Sequence, residues 1–266
     1  MIGVAVTGGA GRMGSMIVRI LCETEGVALT GAAEHPDHPA IGRDAGEVAG
    51  VGHLGVPIVP GLEKALEGCD VVIDFTSARA SLAHLELALG AGKAIVVGST
   101  GFTPDEKEAI KARTDGRIFF APNMSVGMNV LIRLVQEATR ALGNDYDVEI
   151  VEMHHRFKKD APSGSAVRLA EAVAEARNQA ASDKMVHGRD GLVGERTKEE
   201  IGMHAIRGGD VVGDHTVIFA TAGERLELTH KASSRETFAR GAVRAAKWIS
   251  SRKPGVYDVL DMLGLK

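Results

Sequence analysis

The densest group of chemically active side chains lies between residues 152 and 165 of this 266-residue chain. His154 and His155 end a segment with the pattern of a β-strand, where adjacent residues point to opposite sides, so at most one imidazole can face a given reacting atom. Imidazole titrates closest to neutrality among the side chains, which suits it to moving a proton. Lys158 and Lys159 follow and add positive charge. The segment therefore indicates proton transfer beside an anionic ligand.

A helix is predicted to begin directly after this basic loop. Ser163 has the character of an N-cap, and the backbone amides of Gly164 and Ser165 then open the helix, where the helix dipole favours an anion. Two ammonium groups and a helix N-terminus predict a binding site for carboxylates. The alternative interpretation is a solvated charged loop with one histidine packed in the core.

A second pattern, Gly9-x-Gly11-x-x-Gly14, lies near the start of the chain. A predicted strand over residues 2–6 precedes it, an amphipathic helix follows it, and Glu34 ends the next predicted strand about twenty residues later. This context predicts a dinucleotide site, with the pyrophosphate on the helix N-terminus and the acid on a ribose diol. The alternative is a β-α-β turn without a ligand.

The residues near Glu34 bear on which dinucleotide binds. A carboxylate suits the 2′-hydroxyl of NADH and repels the 2′-phosphate of NADPH. The following residue is His35 rather than an arginine, although Arg12 could reach a 2′-phosphate. The sequence therefore favours NADH and leaves NADPH open.

Three further turns follow predicted strands of the same sheet, at residues 74–76, 98–101 and 121–124. Ligands of open α/β sheets bind outside the carboxyl ends of the strands, so these turns are expected to line the dinucleotide crevice. Their Gly, Ser, Thr and Asn residues are also what turns require, which is the alternative explanation.

Secondary-structure elements must position these sites. The pattern of predicted strands and helices changes near residue 125. Residues 1–125 alternate short apolar strands with helical patterns, which predicts a Rossmann-like α/β domain with a parallel sheet, completed by residues 236–266. Within that last stretch, residues 238–249 and 256–265 are predicted to be helical.

Residues 126–235 predict a smaller α+β domain for substrate binding and oligomerisation. A long amphipathic helix, a strand at 147–154 and a helix at 164–177 are followed by a Gly- and charge-rich linker to about residue 200 and then by three strands without helices between them. Such a mixed sheet has an open face, which predicts self-association.

Composition excludes several classes of protein. With 31 basic and 35 acidic residues and ten aromatic residues, the chain lacks the footprint of a nucleic-acid binder. It shows no export signal and no apolar stretch of membrane-spanning length, and two cysteines indicate a reducing, cytoplasmic location. His35 and His38 lack further ligands at suitable spacing, so no metal site is expected.

The motifs together resemble 4-hydroxy-tetrahydrodipicolinate reductase, also called dihydrodipicolinate reductase, over nearly the whole chain. The resemblance is carried by these segments: Gly8-x-x-Gly11-Arg12-Met13-Gly14, Gly98-Ser99-Thr100-Gly101-Phe102, Glu152-x-His154-His155-x-x-Lys158-x-Asp160-Ala161-Pro162-Ser163-Gly164-Ser165, Arg207 to Thr216, and His230 to Arg235. The His-His-Lys segment is specific to that family, whereas the glycine loop is not.

The resemblance implies reduction of a cyclic dicarboxylic imine to tetrahydrodipicolinate, a step of lysine and diaminopimelate biosynthesis, by a homotetramer. It implies that His154 donates or accepts the proton, that Lys158 is the second catalytic group, and that His155, Gly164 and Ser165 hold the substrate. The implied cofactor contacts are Gly8, Gly9, Ala10, Gly11, Arg12, Met13, Glu34, His35, Gly98, Ser99, Thr100, Ala121, Pro122, Asn123 and Met124.

Two positions depart from the family pattern: Ser165 stands where the family usually has threonine, and His35 where an arginine is common. Two rival functions share the glycine loop, namely another two-domain nicotinamide dehydrogenase acting on an amino or imino acid, and a dinucleotide-binding regulator without turnover. The regulator would have no use for His154 and Lys158 beside an anion seat.

Overall fold

The computed structural model describes residues 1–266 as twelve β-strands, eight α-helices and three short 3-10 helices. The strands are β1 Ile2–Thr7, β2 Val27–Glu34, β3 Ile58–Pro60, β4 Val71–Asp74, β5 Ala94–Val97, β6 Arg117–Phe120, β7 Asp147–His154, β8 Met185–His187, β9 Ile201–Arg207, β10 Gly213–Thr221, β11 Glu224–Ala232 and β12 Gly255–Tyr257. The helices are α1 Arg12–Glu23, α2 Ala45–Ala49, α3 Ala78–Gly90, α4 Pro104–Lys111, α5 Val126–Leu142, α6 Gly164–Ala176, α7 Glu236–Ile249 and α8 Val259–Leu263. The 3-10 helices are Leu62–Ala65, Gly143–Asp145 and Ala181–Asp183.

The chain divides into two compact units. The first unit comprises Met1–Ser125 together with Glu236–Lys266, and the second comprises Val126–Arg235. The first unit is therefore discontinuous in sequence, and the second is a single stretch of chain.

The first unit is built on a seven-stranded parallel sheet with the order β3-β2-β1-β4-β5-β6-β12. β4 and β5 are buried along their whole length, because helices cover both faces of a parallel sheet. The chain leaves β1 towards β2 and later returns to place β4 on the other side of β1, which creates a topological switch point between β1 and β4. The Rossmann-like prediction is confirmed.

The end of the chain departs from the helical prediction over residues 256–265. Gly255–Tyr257 forms a strand parallel to β6, with Val256 opposite Ile118, and only Val259–Leu263 is helical. The sheet edge offered by β6 explains the difference, because the Gly255 amide donates to the Gly116 carbonyl at 2.7 Å. The Tyr257 ring packs edge-on against Trp248 with 5.2 Å between ring centroids. Asp258 then caps the short helix α8.

The second unit is built on a five-stranded mixed sheet with the order β11-β10-β7-β9-β8. β10 runs antiparallel to β7 and β11, whereas β7, β9 and β8 are parallel. Inward residues of β7 and β10, such as Ile150 and Phe219, pack with α5 and α6 in one core. Val151 and Ile218 point to the other face, which no helix of this unit covers and which we call the open sheet face. The predicted open mixed sheet is confirmed, while β8 lies inside the stretch predicted as a linker.

No helix in the chain is both long and apolar enough to cross a membrane.

Candidate active site

The glycine loop after β1 makes a tight turn that brings the start of α1 close to the sheet. Gly8 adopts a left-handed conformation with φ of 63°, and the Gly11 amide donates to the Gly8 carbonyl at 2.9 Å. A Cβ atom on Gly14 would lie 2.0 Å from the Gly8 carbonyl oxygen, so only glycine allows helix and loop to approach this closely.

The first turn of α1 has the features of an anion site. Gly11 precedes the helix without a side-chain cap, and no acidic residue lies in the first turn, so its amides point outward without a competing carboxylate. The Glu34 carboxylate accepts hydrogen bonds from the Ala10 amide at 3.1 Å and from the His35 amide at 3.3 Å. Loop amides, helix start and acid thus fit a dinucleotide. The His35 side chain is exposed and lies 3.6 Å from Asp37.

The turns after β4 and β5 meet through the buried carboxylate of Asp74, which belongs to the predicted turn at residues 74–76 but was not expected to be buried. Asp74 is fully buried and accepts hydrogen bonds from Ser81 at 3.1 Å and from the Thr76 hydroxyl at 2.7 Å, and its Oδ2 lies 2.6 Å from His84 Nδ1. Burial raises the pKa of Asp74, but the hydrogen bonds from His84 and Thr76 outweigh it and hold the pKa below its usual range. The available signal was an acid ending an otherwise apolar strand.

The predicted turn at residues 98–101 joins this network. The Ser99 hydroxyl accepts from Ser81 at 2.7 Å. Gly98 lies under the Phe75 ring, where a Cβ atom would come within 2.2 Å of Cζ, so the ring requires glycine beneath it. Thr100 is exposed beside it. The two turns therefore form one polar surface at the carboxyl edge of the sheet.

The turn at residues 121–124 continues the same edge after β6. The Ala121 amide donates to the Val97 carbonyl at 3.1 Å, and the Asn123 side chain accepts from the Ser125 amide at 2.9 Å. Met124 is buried, whereas Pro122 is exposed. Because all these strands are parallel, every predicted cofactor residue of the first unit lies at or after the carboxyl end of a strand: Gly8 to Met13, Glu34, His35, Gly98 to Thr100, and Ala121 to Met124.

In the second unit, His154 and Glu152 lie two residues apart on β7 and share its buried face. His154 is 8% exposed and Glu152 1%. The Glu152 carboxylate lies 2.6 Å from His154 Nδ1 and also accepts from the Ser163 amide at 3.0 Å. Arg207 on β9 donates to both of its oxygens, at 2.8 and 2.9 Å. In the sequence, Glu152 and Arg207 stand out only as members of family motifs. The further signal for Glu152 is an acid that alternates with His154 on a buried strand face.

The pKa values of this pair are set by opposing effects. Burial raises the pKa of Glu152, yet hydrogen bonds from Arg207, His154 and the Ser163 amide outweigh it and hold that pKa below its usual range. Burial lowers the pKa of His154, Glu152 acts in the opposite direction, and the positive charges of Lys158 and Arg207 lower it again, which leaves the pKa below its ordinary value.

A second buried imidazole, also missed by the sequence analysis, lies beside His154. His215 on β10 is 3% exposed, its ring meets the His154 ring edge-on at 5.1 Å, and its Nε2 lies 3.0 Å from Ser163 Oγ. Burial and the neighbouring His154 lower the pKa of His215 to about 4. His215 is therefore a neutral partner of the serine at neutral pH. The alternation of apolar residues along β10 is the sequence feature that places His215 on the buried face.

The basic loop leads to the start of α6. The Ser163 hydroxyl caps the helix by accepting from the Ala166 amide at 3.2 Å, and the first turn, which begins at Gly164 and Ser165, holds no acidic residue. Lys158 donates to Asp160 at 2.8 and 2.9 Å. His155 is half-buried, on the other side of the strand end from His154, with its Nε2 3.5 Å from Arg235. Imidazoles, lysine and helix start are thus gathered in one unit.

The positions of the metal-ligating side chains and of the two cysteines bear on metal and thiol chemistry. No group of three or more His, Cys, Asp or Glu residues is placed to hold a metal ion. Of the two cysteines, Cys69 is buried and Cys22 is exposed.

Comparison with known proteins gives one consistent result. The family model for the N-terminal part of dihydrodipicolinate reductase matches residues 2–124, and the model for its C-terminal part matches residues 127–263. The 4-hydroxy-tetrahydrodipicolinate reductase of Anaeromyxobacter dehalogenans is 55% identical over 99% of this chain and 98% of its own length. The enzyme of that name from Geotalea daltonii is 52% identical over the full length of both chains.

A solved structure supports the same grouping. Dihydrodipicolinate reductase from Paenisporosarcina sp. TG-14, determined with dipicolinate bound, superposes with a TM-score of 0.77 at 25% identity and covers 98% of each chain. Both halves of the chain match the family in order, and the relatives match over their whole length. This chain belongs to the dihydrodipicolinate reductase family.

Proposed function

We propose that this protein reduces 4-hydroxy-tetrahydrodipicolinate to tetrahydrodipicolinate with a reduced nicotinamide dinucleotide. Full-length identity above half to relatives of that name supports the reaction. The observation in the structure that carries it is one cluster in the second unit: the buried His154 held through Nδ1, Lys158, and a helix N-terminus without acidic residues in its first turn. A ring with two carboxylates needs this combination of a proton donor, a cation and backbone amides.

Each residue of the cluster has a separate task in this mechanism. The dinucleotide, which the loop from Gly8 to Met13 and Glu34 would hold, would supply the hydride for the ring carbon from which the hydroxyl leaves as water. The amides of Gly164 and Ser165, with His155, hold the two carboxylates. Lys158 stabilises the negative charge that develops on the conjugated ring. His154, protonated at Nε2, gives its proton to the neighbouring carbon, which completes addition of hydride and proton across the double bond.

The substitution His154→Ala tests this function. We expect kcat to fall about 100- to 10,000-fold, because general acid catalysis contributes that range, while dinucleotide affinity stays unchanged. The assay follows NADH oxidation with 4-hydroxy-tetrahydrodipicolinate generated enzymatically just before use. Fluorescence titration measures dinucleotide binding.

The matched control is His187→Ala, which removes an exposed histidine from the edge strand β8 of the same unit and is expected to leave kcat unchanged. A wild-type protein that binds dinucleotide but shows no turnover would support the regulator instead. Turnover of another amino or imino acid, without turnover of this substrate, would support a different dehydrogenase.

We further propose that NADH is preferred over NADPH. The support is the Glu34 carboxylate, which faces the loop amides through Ala10 and would repel a 2′-phosphate. Competitive titration of the two dinucleotides measures the preference directly, and tighter binding of NADPH would contradict it.

We also propose that the protein works in the cytoplasm as a homotetramer that associates through the open sheet face. The support for association is the half-exposed apolar side chains on that face, including Val151, Met153 and Ile218.

A further inference from the structure

Glu152 connects three elements of the second unit through one buried carboxylate. It binds His154 on its own strand, Arg207 on β9, and the backbone amide of Ser163 at the start of α6. All four donor contacts lie between 2.6 and 3.0 Å. An isolated buried carboxylate is costly, so this one depends on its partners and they depend on it.

The paired hydrogen bonds from the Arg207 guanidinium determine the ionisation state of Glu152. A guanidinium that donates to both oxygens keeps the carboxylate ionised, and an ionised carboxylate only accepts hydrogen bonds. His154 Nδ1 must therefore carry a proton in order to bond at 2.6 Å. In the neutral imidazole the lone pair then lies on Nε2, so Nε2 is the atom that gains and releases the proton.

The neighbouring strand leaves room at this same nitrogen. Gly213 opens β10, and a Cβ atom there would lie 3.0 Å from His154 Nε2. Any side chain at position 213 would crowd the proton-transfer atom. The polypeptide thus fixes one nitrogen of the ring and keeps space beside the other.

We infer that Glu152, held by Arg207, is a positioning residue that fixes the tautomer of His154 and ties it to the substrate-binding start of α6. The inference rests on the proposed function, because it assigns Glu152 a role through His154. Arg207 strengthens the link, since its Nη2 also donates to the Asp160 carbonyl at 2.7 Å, and Asp160 binds Lys158. One ion pair therefore orients the proton donor, the N-cap and the loop that carries Lys158.

The charged groups around His154 predict how the pH dependence of activity changes when Glu152 loses its charge. The groups that face the ring are Glu152 on β7, Lys158 in the following loop, Arg207 on β9 and His215 on β10. Glu152 is the one group among them that favours the imidazolium. Removing its charge lowers the pKa of His154 further, so a reaction that needs the protonated ring loses activity at a lower pH.

The test is Glu152→Gln in the full-length protein. The glutamine oxygen can still accept from Arg207 while its amide donates to Nδ1, which moves the ring proton to Nε2. We expect kcat to fall about 100-fold, and the alkaline limb of the kcat/KM profile to move down by about one pH unit, with NADH affinity unchanged. Nitrogen-15 NMR of histidine-labelled protein should show loss of the Nδ1-protonated signal that His154→Ala identifies.

The matched control is Glu175→Gln, which alters an arginine-paired glutamate of the same unit on α6, 2.7 Å from Arg168, and should leave rate, profile and tautomer unchanged. Unchanged kcat in Glu152→Gln, or a loss of kcat with the His154 tautomer retained, would overturn the inference. Wild-type protein without turnover would instead overturn the proposed function, and the tautomer can still be measured in that case.

A second variant covers the possibility that Glu152→Gln does not fold. Arg207→Lys keeps the positive charge but loses the two-pronged contact, so the carboxylate can rotate away from Nδ1. We expect kcat to fall about tenfold with dinucleotide affinity unchanged. An unchanged kcat would overturn the inference.

Discussion

At the scale of single residues, the Glu34 side chain links two functions of the first unit. Its carboxylate accepts from the Ala10 amide and so braces the glycine loop, and the same oxygens are placed to meet a ribose diol. A charged acceptor binds hydroxyl groups more strongly than a neutral one and repels a phosphate. One residue thus braces the loop and, under the proposed function, would also determine coenzyme choice.

We predict that Glu34→Gln weakens NADH binding and narrows the preference for NADH over NADPH by about tenfold, which corresponds to about 1.4 kcal/mol. The amide keeps a hydrogen-bond acceptor but loses the charge that repels the 2′-phosphate. Isothermal titration with both dinucleotides measures the ratio. Glu25→Gln, in the exposed turn before β2, is the control, and an unchanged ratio in Glu34→Gln would contradict the role of the charge.

Residue types and spacing were sufficient to select the segment of residues 152–165, because imidazole, ammonium and N-cap residues follow one another within it, and the family resemblance then singled out His154 and Lys158. Residue types and spacing did not select His84 or His215, and they included Asp74 only as part of the turn at residues 74–76. Each of these acts through a partner distant in sequence, such as Ser163 for His215, and only the folded sheet brings the partners together. A polar residue within an apolar segment can be recognised in the sequence, but its hydrogen-bond partner in the folded protein cannot.

At the scale of elements, the junction of β1 and α1 depends on glycine at position 14. We predict that Gly14→Ala destabilises the protein by about 1–3 kcal/mol and weakens dinucleotide binding, because the methyl group would force α1 away from the Gly8 carbonyl. Urea unfolding and NADH titration measure the two effects.

Gly90→Ala provides the matched control for Gly14→Ala. Gly90 also lies in a helix, at the end of α3, and a Cβ atom there would have no neighbour within 4 Å. This variant should be neutral or slightly stabilising, by up to about 1 kcal/mol. Equal effects of the two substitutions would contradict the steric argument.

The longer elements were predictable because their apolar periodicity is strong, as in β7, whose observed bounds of 147–154 match the prediction, and α6. Three strands of three residues each were not predicted: β3, β8 and β12. Such strands are too short to show a period and form where a neighbouring strand offers unpaired backbone groups. β12 shows this most clearly, since its three residues pair with β6, Val256 opposite Ile118 and Tyr257 opposite Phe119.

At the scale of the whole molecule, a substitution in the middle strand of the open sheet face tests association through that face. We predict that Val151→Lys converts the proposed tetramer into smaller species, because Val151 lies in the middle strand and an ammonium buried in that interface would lack a partner. Sedimentation velocity measures the change, and NADH titration verifies that the first unit still binds.

Leu134→Lys is the control for this prediction. Leu134 is half-exposed on α5, which packs on the covered face of the sheet, so a charge there should leave the assembly intact. A wild-type protein that sediments as a monomer at micromolar concentration would contradict the tetramer. A Val151→Lys tetramer would place the interface elsewhere.

The discontinuity of the first unit has a consequence for how the protein is made. Helix α7 packs against α1 and against β4, β5 and β6, yet it is encoded after the whole second unit. A nascent chain on the ribosome therefore exposes the apolar face of β4, β5 and β6 that α7 later covers until translation is almost complete. The inserted unit, by contrast, emerges as one continuous stretch and can fold first, so synthesis order reverses the order in which the two units mature.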